Sequence, residues 1–216
     1  MTQFKGIIFD LDGTLVDSEI VWEVAENEMF KERGLIITPD VREQLIGRRL
    51  DEFMAKLIEI YDLKEAPDTL RQELIDRMLE KIPTMVKAKP GASELIEWTA
   101  QQNIPYCIAS SSPQAIIDAS LLSQNWQELI PLRYSADLVA NGKPAPDIYL
   151  YAAEQLGIAP ADCLAIEDSP NGARAAIAAN MTCYAVPDGH SSLDTLKQIT
   201  PHAFHTLNEV LTNLIR

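Results

Sequence analysis

The run Gly6-Ile7-Ile8-Phe9-Asp10-Leu11-Asp12-Gly13-Thr14-Leu15 joins a short apolar segment to two acids and a glycine. An uninterrupted apolar segment that ends in turn-forming sequence reads as a strand buried on both faces. Asp10 and Asp12 then stand at its carboxyl end, two residues apart. Carboxylates so spaced can converge on one cation. One can also attack a substrate while the other handles its protons.

Further along, the same arrangement recurs. Residues 105–109 run into Ser110-Ser111-Ser112, residues 163–166 into Glu167-Asp168, and residues 182–186 into Pro187-Asp188-Gly189. Helical patterns cover 93–102, 114–122, 147–156 and 171–179. Strands alternating with helices predict an α/β fold, a Rossmann-like parallel sheet covered on both faces. Such sheets bind ligands beyond the carboxyl ends of their strands. Asp10, Asp12, Ser110, Ser111, Glu167 and Asp168 are therefore expected at one site.

One segment breaks the alternation. Amphipathic stretches over 19–33, 40–46, 51–60 and 68–81 follow one another with no convincing strand between them. Ser18 and Asp51 are suited to cap helices, and Pro39 and Pro67 to begin them. The expectation is an all-helical cap over 17–86, inserted into a core formed by 1–16 and 87–216. Lys89-Pro90-Gly91 returns the chain to that core.

Composition narrows the function. A hydrophobic fraction of 47% in 216 residues supports a real core. A formal charge of −14 repels phosphate backbones and speaks against nucleic acid as a partner. Cys107, Cys163 and Cys183 are few, odd in number and set in apolar runs, as expected of buried thiols in a reducing cytoplasm. No apolar run approaches a membrane span, and no signal peptide precedes the first strand. A cytoplasmic monomer acting on a small molecule is expected.

Asp10, Asp12, Glu167 and Asp168, gathered at one sheet edge, would repel one another and raise each other's pKa values. A hard divalent cation relieves this. Mg²⁺ in particular takes a few carboxylates, waters and a substrate phosphate. Lys143, in Gly142-Lys143-Pro144, supplies a cation for a phosphoryl oxygen, and Thr14, Ser110 and Ser111 supply further donors. Together these make a phosphoryl-transfer site with nucleophile, acid/base, metal and electrostatic clamp.

The ordered set Asp-x-Asp-Gly-Thr-Leu-Val-Asp-Ser, a strand-end Ser, Gly-Lys-Pro-x-Pro-Asp and Glu-Asp-Ser-x-x-Gly resembles the haloacid dehalogenase superfamily. It is most similar to the helical-cap subgroup of sugar-phosphate phosphatases and β-phosphoglucomutases. The resemblance implies Asp10 as nucleophile, carrying an aspartyl-phosphate, and Asp12 as general acid and then base. It implies Ser110 and Lys143 on the phosphoryl group. It also implies Mg²⁺ on Asp10, the Asp12 carbonyl, Asp168 and Glu167, the last directly or through water. Asp12 and Asp168 argue against dehalogenation, which lacks an acid at the position of Asp12 and needs no metal.

Three departures separate the chain from the mutases: Trp22 stands where they have histidine, Pro113 where they have lysine, and Leu50 where they have the cap arginine. Asp17-Ser18-Glu19-x-x-Trp22-x-x-Ala25-Glu26 instead resembles hexose- and hexitol-phosphate phosphatases. Hydrolysis of a sugar or polyol phosphate is the leading expectation, and a mutase the alternative. Glu19, Trp22, Gly47, Arg48 and Arg49 are the cap residues expected near the leaving group.

Plainer readings stand beside these. A calcium loop beginning at Asp10 would need an acid at its twelfth position, which is Val21. Ser110-Ser111-Ser112 and Glu167-Asp168 each precede a helix and would serve as caps. Trp22 reads equally as cap core, and Arg48 and Arg49 as solvated charges. His202 and His205 read as a pair near a terminal strand rather than metal ligands.

Overall fold

The first strand, β1 (Gly6–Phe9), is fully buried, and Ile7, Ile8 and Phe9 have no exposed surface. Burying each such side chain contributes roughly 1.5–3 kcal/mol, which places this segment at the centre of the sheet. The computed structural model describes residues 4–38, 40–41 and 49–216. Beside β1 on one side is β4 (Tyr106–Ser110) with β5 (Arg133–Ser135) beyond it; on the other is β6 (Cys163–Glu167) and then β7 (Thr182–Ala185). All four pairings are parallel. The α/β parallel sheet expected from the alternating pattern is therefore present.

Alternation along each strand separates two hydrophobic layers. Ile7, Phe9, Ile108, Leu164 and Ile166 face α4 (Ala92–Gln101), α5 (Gln114–Ser123) and α8 (Leu207–Ile215). Ile8, Cys107, Ala109, Ala165 and Cys183 face α6 (Asp147–Leu156) and α7 (Pro170–Ala178). The second layer is rich in alanine, including Ala173, Ala175 and Ala176, which lets α7 lie close to the sheet. All three cysteines are buried and free, and burial pushes each thiol up.

Between β2 (Val16–Asp17) and β3 (Lys87–Ala88) the regular elements among the described residues are helices: α1 (Glu19–Glu32), α2 (Leu50–Tyr61) and α3 (Pro67–Met85). The two short strands pair antiparallel, Val16 with Ala88 and Asp17 with Lys87, and form a neck where the chain leaves and re-enters the sheet layer. Gln124 ties that neck to α5, accepting from the Ala88 N–H at 3.0 Å and donating to the Val86 carbonyl at 3.1 Å. Helix α3 starts at Pro67 as expected, and it runs on through Pro83. Asp51 lies inside α2, whose N-cap is Arg49. Pro39 and most of the 40–46 helix expected from the sequence lie outside the described residues.

Met29, Phe30, Phe53, Met54, Leu74 and Met78 join the helices of this insertion, and they belong to the same hydrophobic cluster as Phe9 and Ile108 of the sheet. The Phe30 and Phe53 rings stack with centroids 6.5 Å apart. Arg33 ties α1 to α3 through Glu73, at 2.6 Å, and reaches Glu65 at 3.0 Å.

Candidate active site

The chain beyond β1 keeps to the sheet for one residue more, because the Asp10 N–H donates to the Ile166 carbonyl at 2.9 Å. It then turns. The Gly13 N–H bonds the Val16 carbonyl at 2.8 Å, and the Leu15 N–H bonds the Leu11 carbonyl at 2.9 Å. Gly13 has φ +77°, and a Cβ there would stand 2.2 Å from Asp168 Oδ2. Glycine is required both by the backbone conformation and by the carboxylate it faces.

Asp10 and Lys143 meet at the sheet end. Lys143 Nζ donates to Asp10 Oδ1 and to Glu167 Oε1, each at 2.7 Å, and to the Ala109 carbonyl at 3.2 Å. Its ammonium also lies 4.9 Å from the centre of the Tyr149 ring, and the Tyr149 hydroxyl donates to Glu167 Oε1 at 2.8 Å. Glu167 Oε2 accepts from the backbone N–H groups of Asp168 and Ser169 and from the Ser169 hydroxyl. Glu167 is thus satisfied at both oxygens although wholly buried.

These contacts set the charge states. Burial opposes the Lys143 charge, but Asp10 and Glu167 outweigh it and hold the ammonium above its ordinary range. Burial also works against the Glu167 carboxylate, and Lys143 overcomes it, so that Glu167 stays below its usual value. Burial pushes Asp10 up to about 8 despite Lys143, with Glu167 and Asp12 adding repulsion. Asp168 is driven well above the carboxylate range by burial and then by Asp10 and Glu167. Thr14 donates to Asp168 at 2.9 Å.

One carboxylate oxygen from each of Asp10, Glu167 and Asp168 lies within 4.8 Å of the others. Oxygen-only, buried and destabilised by mutual repulsion, this donor set fits a hard divalent cation.

Asp12 is held differently. Its Oδ1 accepts from Ser18 at 2.6 Å, with Trp22 Nε1 at 3.5 Å, and its Oδ2 accepts from Ser112 at 2.7 Å and Ser110 at 3.2 Å. Asp12 thereby joins the first strand, the strand-end serines and the start of α1. The serines do not cap the helix that follows them: the N-cap of α5 is Pro113 and it makes no side-chain cap. Glu167 and Asp168 do not cap α7 either, since Ser169 does so by accepting from the Gly172 N–H. Ser18 begins α1 without a side-chain cap, its hydroxyl being given to Asp12.

A cavity of about 890 Å³ opens over this sheet end, within the size range of small-molecule sites. Asp10, Asp12, Ser110, Ser111, Lys143 and Asp168 line it, and Glu19 and Trp22 line it from α1. Thr14 and Glu167 sit behind that surface, each hydrogen-bonded to an acid or cation of the site.

Arg49 points elsewhere. Its guanidinium forms an ion pair with Asp51 at 2.6 Å and donates to the Val139 carbonyl at 2.9 Å and the Ala136 carbonyl at 3.3 Å. It ties α2 to the segment after β5. Arg71 reaches the same segment through Asp137 at 2.6 Å. Gly47 and Arg48 lie outside the described residues. Ser18, Ser112 and Tyr149 were not singled out as site residues in the sequence, where a hydroxyl in a loop or helix carries no sign of its partner.

Comparison with known proteins identifies the family. The sequence model of the haloacid dehalogenase-like hydrolases matches residues 7–186. A probable pseudouridine-5'-phosphatase of Drosophila melanogaster is 32% identical over 209 residues, covering 93% of this chain and 87% of that protein. Hexitol phosphatase B of Escherichia coli (strain K12) is 30% identical over 195 residues, covering 86% and 84%. The crystal structure of CbbY from Rhodobacter sphaeroides in complex with phosphate shares the fold, with a TM-score of 0.88 at 23% identity, covering 99% of this chain and 100% of that one. The chain belongs to the haloacid dehalogenase-like hydrolase family, in its phosphatase subgroup.

Proposed function

We propose that this chain is a Mg²⁺-dependent phosphatase that hydrolyses a small phosphate monoester, a sugar or polyol phosphate, through an aspartyl-phosphate on Asp10. The observation that carries the reading is the buried Lys143 ammonium, shared at 2.7 Å between Asp10 and Glu167, with Asp168 beside them and Asp12 two residues on. Named relatives that dephosphorylate hexitol or pseudouridine phosphates support the substrate class.

An Asp10 oxygen attacks phosphorus while the bond from phosphorus to the leaving oxygen breaks. Asp12, as general acid, passes a proton to that oxygen, and the alcohol departs. Water then attacks the aspartyl-phosphate, Asp12 takes the water's proton, and the acyl–phosphate P–O bond breaks, releasing phosphate and restoring Asp10. Lys143, Ser110 and Ser111 hold the phosphoryl oxygens, and the backbone around Thr14 completes that cradle. Asp10, Asp168, the Asp12 carbonyl and Glu167, directly or through water, would hold Mg²⁺, which supplies charge neutralisation for an anionic nucleophile and phosphate. Residues 17–86 act as a cap that excludes bulk water while the aspartyl-phosphate exists.

Hydrolysis of p-nitrophenyl phosphate tests the reading. Turnover that needs Mg²⁺ and vanishes in Asp10→Asn is expected. Full turnover in excess EDTA, or in that variant, would sink it. The mutase alternative predicts interconversion of hexose 1- and 6-phosphates without net phosphate release.

A further inference from the structure

The segment leaving β5 is built into the hydrogen bonding of Asp12. Ser135, the last residue of that strand, is buried, and its hydroxyl donates to the Ser112 carbonyl at 2.7 Å. Ser112 carries this onward, since its own hydroxyl donates to Asp12 Oδ2 at 2.7 Å. The Ser135 oxygen also accepts from the Asp137 N–H at 3.1 Å, which closes the one-turn helix Ala136–Leu138 onto the strand end. Farther on, Asn141 donates to Asp147 through its backbone and its side chain, at 3.2 and 2.9 Å, and fixes the far end of the segment to α6.

Between those anchors the helical insertion holds residues 136–140 from outside. Arg49 Nη1 donates to the Val139, Ala136 and Ala140 carbonyls at 2.9, 3.3 and 3.4 Å, while Nε and Nη2 are fixed by Asp51 at 2.7 and 2.6 Å. One guanidinium thus spans a carboxylate and three carbonyls, which its planar fork allows and a lysine ammonium does not. Arg71, from α3, pairs with the Asp137 carboxylate at 2.6 Å. A continuous path of polar contacts therefore runs from the insertion through Asp137, Ser135 and Ser112 to Asp12.

We propose that Arg49 and Arg71 are positioning residues for the general acid: they set residues 136–140, Ser135 thereby sets Ser112, and Ser112 sets Asp12. Neither arginine lines the cavity, so neither acts on the substrate itself. General acid catalysis needs its donor within hydrogen-bond reach of the leaving oxygen, and a displacement on the order of an ångström costs up to about a hundredfold. The inference rests on the phosphatase reading and adds to it a dependence of Asp12 on how α2 and α3 sit against the sheet layer.

Two esters of nearly the same shape separate this role from a general loss of structure. The phenolate of phenyl phosphate is basic and needs the proton from Asp12, whereas p-nitrophenolate leaves with little help. At saturating Mg²⁺, Arg49→Leu and Arg71→Leu should each lower kcat/KM for phenyl phosphate by about tenfold and for p-nitrophenyl phosphate by less than about threefold. Arg49→Lys should behave like Arg49→Leu, because charge without the fork cannot span the same partners. Asp137→Asn should match Arg71→Leu, and the two combined should lose no more than either alone. Asp137, Leu138 and Ala140 are exposed, so water can replace the lost donors and the variants are expected to fold, which thermal denaturation checks. A ratio between the two esters that neither arginine variant moves, or full recovery in Arg49→Lys, overturns the inference. In either case p-nitrophenyl phosphate turnover would leave the phosphatase reading standing. Absence of phosphate release from both esters by the unaltered protein overturns that reading, and the positioning role with it.

Discussion

Gly172 and Glu167 compete for one place: a Cβ built on Gly172 would lie 1.7 Å from Glu167 Oε1 and 2.0 Å from its carboxyl carbon. The glycine is inside α7 and has no unusual backbone conformation, so its role is to leave room. Through that space Glu167 reaches Lys143, and through Lys143 it bears on Asp10.

Gly172→Ala tests this directly. In a helix interior the change ordinarily stabilises by roughly 0.5–1 kcal/mol. Here it should destabilise by about 3 kcal/mol, because displacing Glu167 strands a buried cation and a buried carboxylate. Urea denaturation measures the sign, and a gain in stability would show that Glu167 moves aside without loss.

Asp10→Asn should lower phosphatase turnover by roughly three orders of magnitude or more, as expected for loss of a nucleophile. The fold should survive, since Lys143 keeps Glu167 at 2.7 Å and burial disfavours the Asp10 charge. Thermal denaturation in EDTA should therefore give a melting temperature no lower than that of the unaltered protein. A marked fall would mean that the Asp10–Lys143 pair is a net stabiliser.

The pH dependence follows from the raised carboxyls. Folded Asp10 binds its proton up to about 8, whereas the unfolded chain releases it near the ordinary aspartate value of about 4. In EDTA its contribution favours the fold below about pH 4 and is lost as pH rises towards 8, and Asp168 adds to the same slope. Glu167 works oppositely, and its contribution is lost only in acid, as pH falls through its lowered value. A divalent cation must displace the protons on Asp10 and Asp168. The rise in melting temperature on adding Mg²⁺ should thus be larger at pH 8 than at pH 6. Equal shifts at both values would count against these carboxylates as the ligands.

Arg33 offers a control remote from the chemistry. Its guanidinium is bound to Glu73 at two positions, 3.0 and 2.6 Å, and to Glu65 at 3.0 Å. Arg33→Leu should destabilise by about 1–2 kcal/mol, with kcat changed by less than about twofold. A large loss of kcat at unchanged stability would mean that the α1–α3 tie positions α1 over the site.

The sheet and its chemistry were legible because both are written in short, local runs. Residues 6–9, 105–109, 163–166 and 182–186 match β1, β4, β6 and β7 to within a residue, since continuous apolar segments bounded by turns have few other solutions. Strand β5, only Arg133–Ser135, went unread because it has no such run and is held by its pairing with β4. The terminal helix Leu207–Ile215 is amphipathic and capped by Thr206, a local signal of the same kind as those that mark the other helices.

By itself, the sequence determined that acids and serines would gather where parallel strands end, because strand direction carries every carboxyl end to the same edge. Tertiary structure decided which groups hold one another: Ser112 with Asp12, 100 residues apart, Lys143 with Asp10, 133 apart, and Tyr149 with Glu167. It also decided that Arg49 faces the carbonyls after β5 and not the cavity. Such choices follow from burial and competition among distant partners, for which a residue's immediate neighbours in sequence carry no signal.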